Sequence, residues 1–158
     1  MIRIPDKLMV CLPADASTTI QSAFHELAAD LKESANIMCE NTVDTPLTTF
    51  HISLGNTAAL KQAGISQPVG WKDDSFGAVV KDNVLFIHGK TDRAVLYGVY
   101  EFLEDVVGVR FLSPQETYIP AHPEGISISK NYIHKNLGSM FFQRSICQIY
   151  RSLSKNTI

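Results

Sequence analysis

Apolar and polar positions along this chain follow two periods, and the changes from one to the other mark its elements. "KLMVCLP" (7–13) is a short apolar run closed by Pro13, the pattern of a buried strand. In "DASTTIQSAFHELAADLKESAN", Ile20, Phe24, Leu27 and Leu31 recur at i, i+4, i+7 and i+11, one face of a helix. Gln21, His25, Lys32 and Glu33 fall largely opposite. Thr18 with Gln21 fits a capping box, and Ser17 is the alternative cap. "PLTTFHISLGN" (46–56) alternates, with Phe50, Ile52 and Leu54 on one face and His51 and Ser53 on the other. That predicts a half-buried strand ended by Gly55-Asn56. "TAALKQAG" predicts a short helix with Gly64 just beyond it, and "ISQPVGWKDD" a loop.

"SFGAVVKDNVLFIHG" (75–89) predicts a hairpin, because Asp82-Asn83 tolerates the positive φ of a tight two-residue turn. A helix follows from about Asp92 to Val107, stopped by Gly108, and then a strand, "VRFL" (109–112). "ETYIP" and "GISIS" are further extended pieces. From Tyr132 onward the pattern blurs, and "MFFQRSICQIYRSL" suits either a strand or a short helix. The order β-α-β-(α)-β-β-α-β-β-β sets a hairpin between βα units. It predicts an α+β domain, a mixed β-sheet with two main helices packed on it, instead of an all-parallel array.

The 92–107 helix raises a question of its own. On a wheel of 100° per residue, Val95, Val99, Phe102, Leu103 and Val106 form a stripe facing the sheet. Gly98 sits at its edge beside Ala94, small enough for close approach. Tyr97, Tyr100, Glu101 and Glu104 point away, which predicts a docking surface on the outer side. The competing expectation is that the two tyrosines lie along their own domain's surface.

Composition narrows the function. At 158 residues, with 45% apolar and 19% charged residues, the chain is an ordinary single globular domain. A net charge of −2 with no run of Lys or Arg gives no pull toward nucleic acid or anionic membrane. Cys11, Cys39 and Cys147 lack metal-like spacing, and an odd count argues against a complete disulfide framework. "MIRIPDKLMVCLPAD" lacks the charged-then-apolar order of a signal peptide. That leaves either a cytoplasmic chain or a segment of an exported one. No apolar run approaches a membrane span.

Several chemistries begin and fail. "FHELAAD" opens like a zinc-protease helix, but the position four after His25 is Ala29, so two imidazoles cannot face one metal. "HGKTD" resembles the end of a phosphate-binding loop, yet Val84 stands where its first glycine is required. Neither G-x-S-x-G nor GxGxxG occurs. Glu101, Glu104 and Asp105 read as the solvated side of an amphipathic helix before they read as acid–base machinery. Asp73-Asp74 alone makes a weak cation site. No cofactor is expected. Trp71, the single tryptophan, lies in a loop and is either a hydrophobic plug or a platform for stacking on a sugar ring.

"GKTDRAVLYGVYEFLEDVVGVRFLSPQETYIP" (89–120) resembles the N-terminal module of α-glucuronidases of glycoside hydrolase family 67 and of related Bacteroidetes proteins, and more distantly the N-terminal domain of β-N-acetylhexosaminidases. Gly89, Thr91, Arg93, Leu96 to Tyr100, Phe102 to Glu104, Gly108 to Phe111 and Pro114 carry the resemblance; Ala94 and Phe111 replace a commoner glycine and tryptophan. "SAFHELAADLKESAN", "HISLGN" and the hairpin extend it over about residues 7–130. It implies a fold that is zincin-like without the metal centre. It further implies a non-catalytic accessory domain preceding a catalytic (β/α)8 barrel, which needs about 250 residues.

Only about two dozen residues follow Tyr132, and "FFQRSI" resembles the start of the barrel's first strand. The expected division is therefore 1–132 as the accessory domain and 133–158 as linker and the beginning of an absent barrel. Met140, Phe141, Phe142, Ile146 and Ile149 would form an apolar tail in need of cover. Arg93, Tyr97, Tyr100, Glu104 and Arg110 are the expected contacts with the barrel or with a second copy of the chain, the two arginines pairing near the helix ends. The alternative is a stand-alone carbohydrate-binding module using Trp71 and the tyrosines.

Overall fold

A computed structural model describes residues 1–43, 47–113 and 115–136. Among these, the central element is a mixed six-stranded sheet. Its strands are β2 (Lys7–Leu12), β3 (Met38–Val43), β4 (His51–Leu54), β5 (Phe76–Lys81), β6 (Val84–Gly89) and β10 (Ile133–Asn136). They lie in the order β10-β5-β6-β4-β2-β3. β3, β2, β4 and β6 run parallel, while β5 and β10 are antiparallel additions. Helices α1 (Thr18–Ala35) and α3 (Asp92–Phe102) pack side by side on one face. Two-stranded ribbons, β1 (Ile2–Arg3) with β9 (Ser127–Ile128) and β7 (Arg110–Ser113) with β8 (Glu116–Tyr118), lie beside this layer. The α+β class expected from the pattern is the observed one.

Local chemistry accounts for the element ends. Ser17, not Thr18, caps α1 by accepting from the Ile20 amide, and it also donates to Asp92 Oδ2 at 2.7 Å, tying the starts of the two helices together. Asn36 takes the left-handed conformation (φ 54°) and closes α1. Asp82 and Asn83 both hold positive φ, as the hairpin turn requires. On the helix face Val10, Ile52, Leu85 and Val80 stand in one cross-strand row, and Leu54, Ile87 and Ala78 in the next. All belong to the main core.

Three expectations are corrected. First, α3 is enclosed on several sides. Tyr100 is fully buried and Tyr97 is 9% exposed, because α1 flanks the helix, Phe76 packs with Ala94 and Tyr97, and Phe111 covers Tyr100. A wheel assigns one buried side, whereas this helix has neighbours on both. Second, the helix becomes a π-turn (η1, Leu103–Val107) before Gly108 ends it at φ 88°, and Glu104, expected in solvent, is buried. Third, β4 is covered on both faces. Ser53 and His51 are buried, with Ser53 Oγ 2.6 Å from Thr57 Oγ1, the N-cap of α2 (Ala58–Gln62). Ile133–Asn136 pairs with β5 as the edge of the sheet.

β3 has no counterpart in the alternation. Its "MCENTV" is mostly polar and exposed or half-buried, and it is held by parallel pairing to β2. The expected apolar tail from Met140 and the barrel-like "FFQRSI" lie outside the described residues.

Candidate functional site

On the sheet face opposite α1 and α3, two cross-strand rows run over β6, β5 and β10. One is His88–Gly77–Lys135, the next Phe86–Val79–Ile133. Gly77 sits between two long side chains, and Trp71 and His88 close over the space a side chain there would take. A Cβ there would lie 2.9 Å from His88 Nε2 and 3.3 Å from Trp71 Cη2. The loop after α2 lines this region. Gln67 Nε2 donates to the Gly89 carbonyl at 2.5 Å and Lys90 Nζ to the Trp71 carbonyl at 3.0 Å, fastening the loop at both ends of its Trp71 turn. The result is a cavity of about 220 Å³ lined by Ile65, Ser66, Pro68, Trp71, Val79, His88, Ile133 and Lys135 among others.

Trp71 and His88 are stacked, ring centroids 5.3 Å apart and planes within 20°. Each is 6% exposed, and Trp71 Nε1 and His88 Nδ1 are buried with no hydrogen-bond partner among the described residues. Burial, and then the Lys135 charge, push the His88 pKa below the usual imidazole value, so the neutral ring is favoured. Trp71 is therefore a plug, and the exposed stacking platform is not what the fold builds. Sequence alone singled out Trp71 but passed over His88. A glycine inside a β-rich hairpin, directly opposite a histidine in register, was the available signal.

The expected contact residues separate into two groups. Tyr97, Tyr100 and Glu104 lie inside the domain. Arg93 and Arg110 reach solvent, and both engage their own chain near the helix ends. Arg93 Nη2 is 2.6 Å from Asp74 Oδ1, and Arg110 Nη1 donates to the Glu104 and Val109 carbonyls at 3.1 Å. The latter contact satisfies acceptors left over where the helix stops.

Glu101, Glu104 and Asp105 border a surface depression with Arg110, Phe111 and Leu112. His134 Nε2 stands 3.6 Å from Glu101 Oε1 while its ring stacks on Phe76. The Tyr132 phenol nearby is pushed above its usual range by burial and then by the Asp105 charge. Among the described residues no group of three His, Cys, Asp or Glu side chains could hold a metal ion, and no helix is long and apolar enough to cross a membrane.

No known family's sequence profile matches this chain, and no curated protein matches it in sequence. Solved structures do match its fold. One is a family GH115 4-O-methyl-α-glucuronidase with specificity for decorated arabinogalactans, at 16% identity and TM-score 0.58 over 85% of this chain. Another is an N-acetyl-β-hexosaminidase of Streptomyces plicatus, at 11% identity and TM-score 0.48 over 66% of this chain. This chain spans only 18% of the length of each. At such identities the likeness is one of fold: the chain has a glycosidase-related fold, and the likeness to the first structure is the one with weight.

Proposed function

We propose that this chain is the non-catalytic accessory domain of a glycoside hydrolase, of α-glucuronidase type, that packs against a catalytic (β/α)8 barrel encoded beyond it. The observation that carries this reading is the extent of the fold match, which takes in 85% of this chain but 18% of a glucuronidase. A small domain that recurs as a fraction of a larger enzyme suits an accessory role. The carboxylates fit the same role. Glu104 is buried, Glu101 is occupied by His134, and a glycosidase needs an acid and a partner carboxylate flanking a sugar-sized opening.

With the tyrosines inside, the docking surface passes to the β7–β8 ribbon. Leu112 and Tyr118 are 61% and 56% exposed there, and Arg110 pairs with Tyr118 in register. An aromatic, a leucine and an arginine together match the composition of interface cores. The test has two arms. Reading the coding sequence downstream should reveal a barrel of about 250 residues. The purified chain should turn over no aryl glycoside, glucuronide or hexosaminide. Activity that disappears on mutating a carboxylate of this chain overturns the reading.

A further inference from the structure

β10 ends the sheet on the side away from β3, and no described strand lies beyond it. Two contacts fix the directions of its backbone hydrogen bonds. Lys81 and Val84 flank the two-residue Asp82-Asn83 turn and bond to each other, which leaves Val80, Ala78 and Phe76 to bond toward β10. The Val80 amide does donate to the Tyr132 carbonyl, at 3.0 Å. In the β10–β5 register His134 and Asn136 therefore turn their backbone groups toward β5, and Ile133 and Lys135 turn theirs away from it. Ile133 is also 59% exposed, and neither a proline nor a bulge blunts this edge. Such an edge is a template for one more strand.

We propose that the partner of this edge is the chain's own Ser139–Phe142, paired antiparallel with β10. Residues 137–143 stand outside those described, and it is their sequence that points there. Because Asn136 bonds toward β5, Lys135 is the last residue of β10 able to close a hairpin, which leaves Asn136-Leu137-Gly138 as the loop. Three-residue hairpin loops end in a left-handed position, and Gly138 occupies it. Ser139 then stands opposite Lys135, and Phe141 opposite Ile133, covering the isoleucine's exposed side. Met140 and Phe142 come beside His134 and Tyr132. A second copy fits this edge less well, because a four-residue strand paired with itself falls far short of the roughly 1,200–2,000 Å² that specific interfaces bury. A tethered segment, by contrast, meets the edge at high effective concentration. The pairing is independent of the accessory-domain reading, which concerns the chain beyond this strand, and it sets Phe141 and Phe142 in this sheet although "FFQRSI" resembles a barrel strand.

The experiment follows amide hydrogen exchange in the full chain by NMR at two protein concentrations. The Ile133 and Lys135 amides should exchange about tenfold or more slowly than unstructured amides, at a rate independent of concentration. Gly138→Val strains the left-handed position, and Phe141→Asp removes the cover over Ile133. Made singly in the full chain, each should return both amides toward the unstructured rate. The His134 amide, bonded to β5, should stay protected in both variants and so report an intact fold. Fast exchange of Ile133 and Lys135 in the parent chain overturns the proposal. So does protection that survives both substitutions. Protection seen only at the higher concentration overturns it as well, and gives the edge to a second copy.

Discussion

Tyr100 and Phe111 meet edge to face, ring centroids 5.2 Å apart and planes at 82°. The contact joins the helix to the strand that leaves it, and it closes the side of α3 that a helical wheel assigns to solvent. Quadrupolar pairs of this geometry contribute about 0.5–1.5 kcal/mol beyond the area they bury.

Tyr100→Ser should therefore behave as a core truncation. The expected loss is about 3–5 kcal/mol, in the range for buried aromatics cut to small residues, and not the sub-kilocalorie cost of a surface change. Denaturant unfolding should show a lower midpoint at unchanged m-value. A midpoint within error of the parent chain would mean that Tyr100 stands outside the core.

Gly98 is the close-approach point between α3 and the sheet. An added Cβ would lie 2.6 Å from Ile87 Cγ2 and 3.3 Å from Phe76 Cδ2. Gly98→Ala gains up to about 1 kcal/mol in helix propensity, yet overpacking costs about 1–3 kcal/mol and should dominate. Thermal melting should fall. A stabilised variant would show that the helix rides higher on the sheet than described.

His88 makes stability depend on pH in one direction. Its pKa is lowered on folding, so below the ordinary imidazole value the unfolded chain binds the proton more readily. The stabilising contribution is present above about pH 6.5 and is lost as pH falls through the lowered folded value. Melting temperature measured downward from pH 7.5 should drop more steeply in the parent chain than in His88→Phe. Equal slopes would remove His88 as the cause.

Burial pushes the Cys39 thiol up to about 11. At pH 8 only about one part in a thousand is thiolate, and the thiolate is the nucleophile. In a Cys147→Ser variant, alkylation by iodoacetamide should be far slower than for free cysteine and should accelerate toward pH 11. Rapid modification of the folded chain at neutral pH would contradict the buried setting.

Much of the framework was legible in the chain itself. The spacing of Ile20, Phe24, Leu27 and Leu31 specifies α1, the Asp82-Asn83 pair specifies the hairpin, and Gly108 specifies where the second main helix stops. Each rests on near neighbours in sequence, where periodicity and allowed backbone conformations decide the outcome.

Tertiary structure decided the rest, because burial depends on how many neighbours a segment acquires. Tyr97 and Tyr100 lie opposite one apolar stripe but inside the domain, since α1, Phe76 and Phe111 arrive from distant parts of the chain. β3 pairs through backbone hydrogen bonds that place little demand on side chains, so its polar residues concealed it. The cavity depends on a three-strand register that aligns His88, Gly77 and Lys135, and on a loop that brings Trp71 over them. The sequence by itself determined α1, α3, the β5–β6 hairpin and their order, but not β3. Only the packing of those elements decided which faces are covered and where a gap remains, because those contacts join residues far apart along the chain.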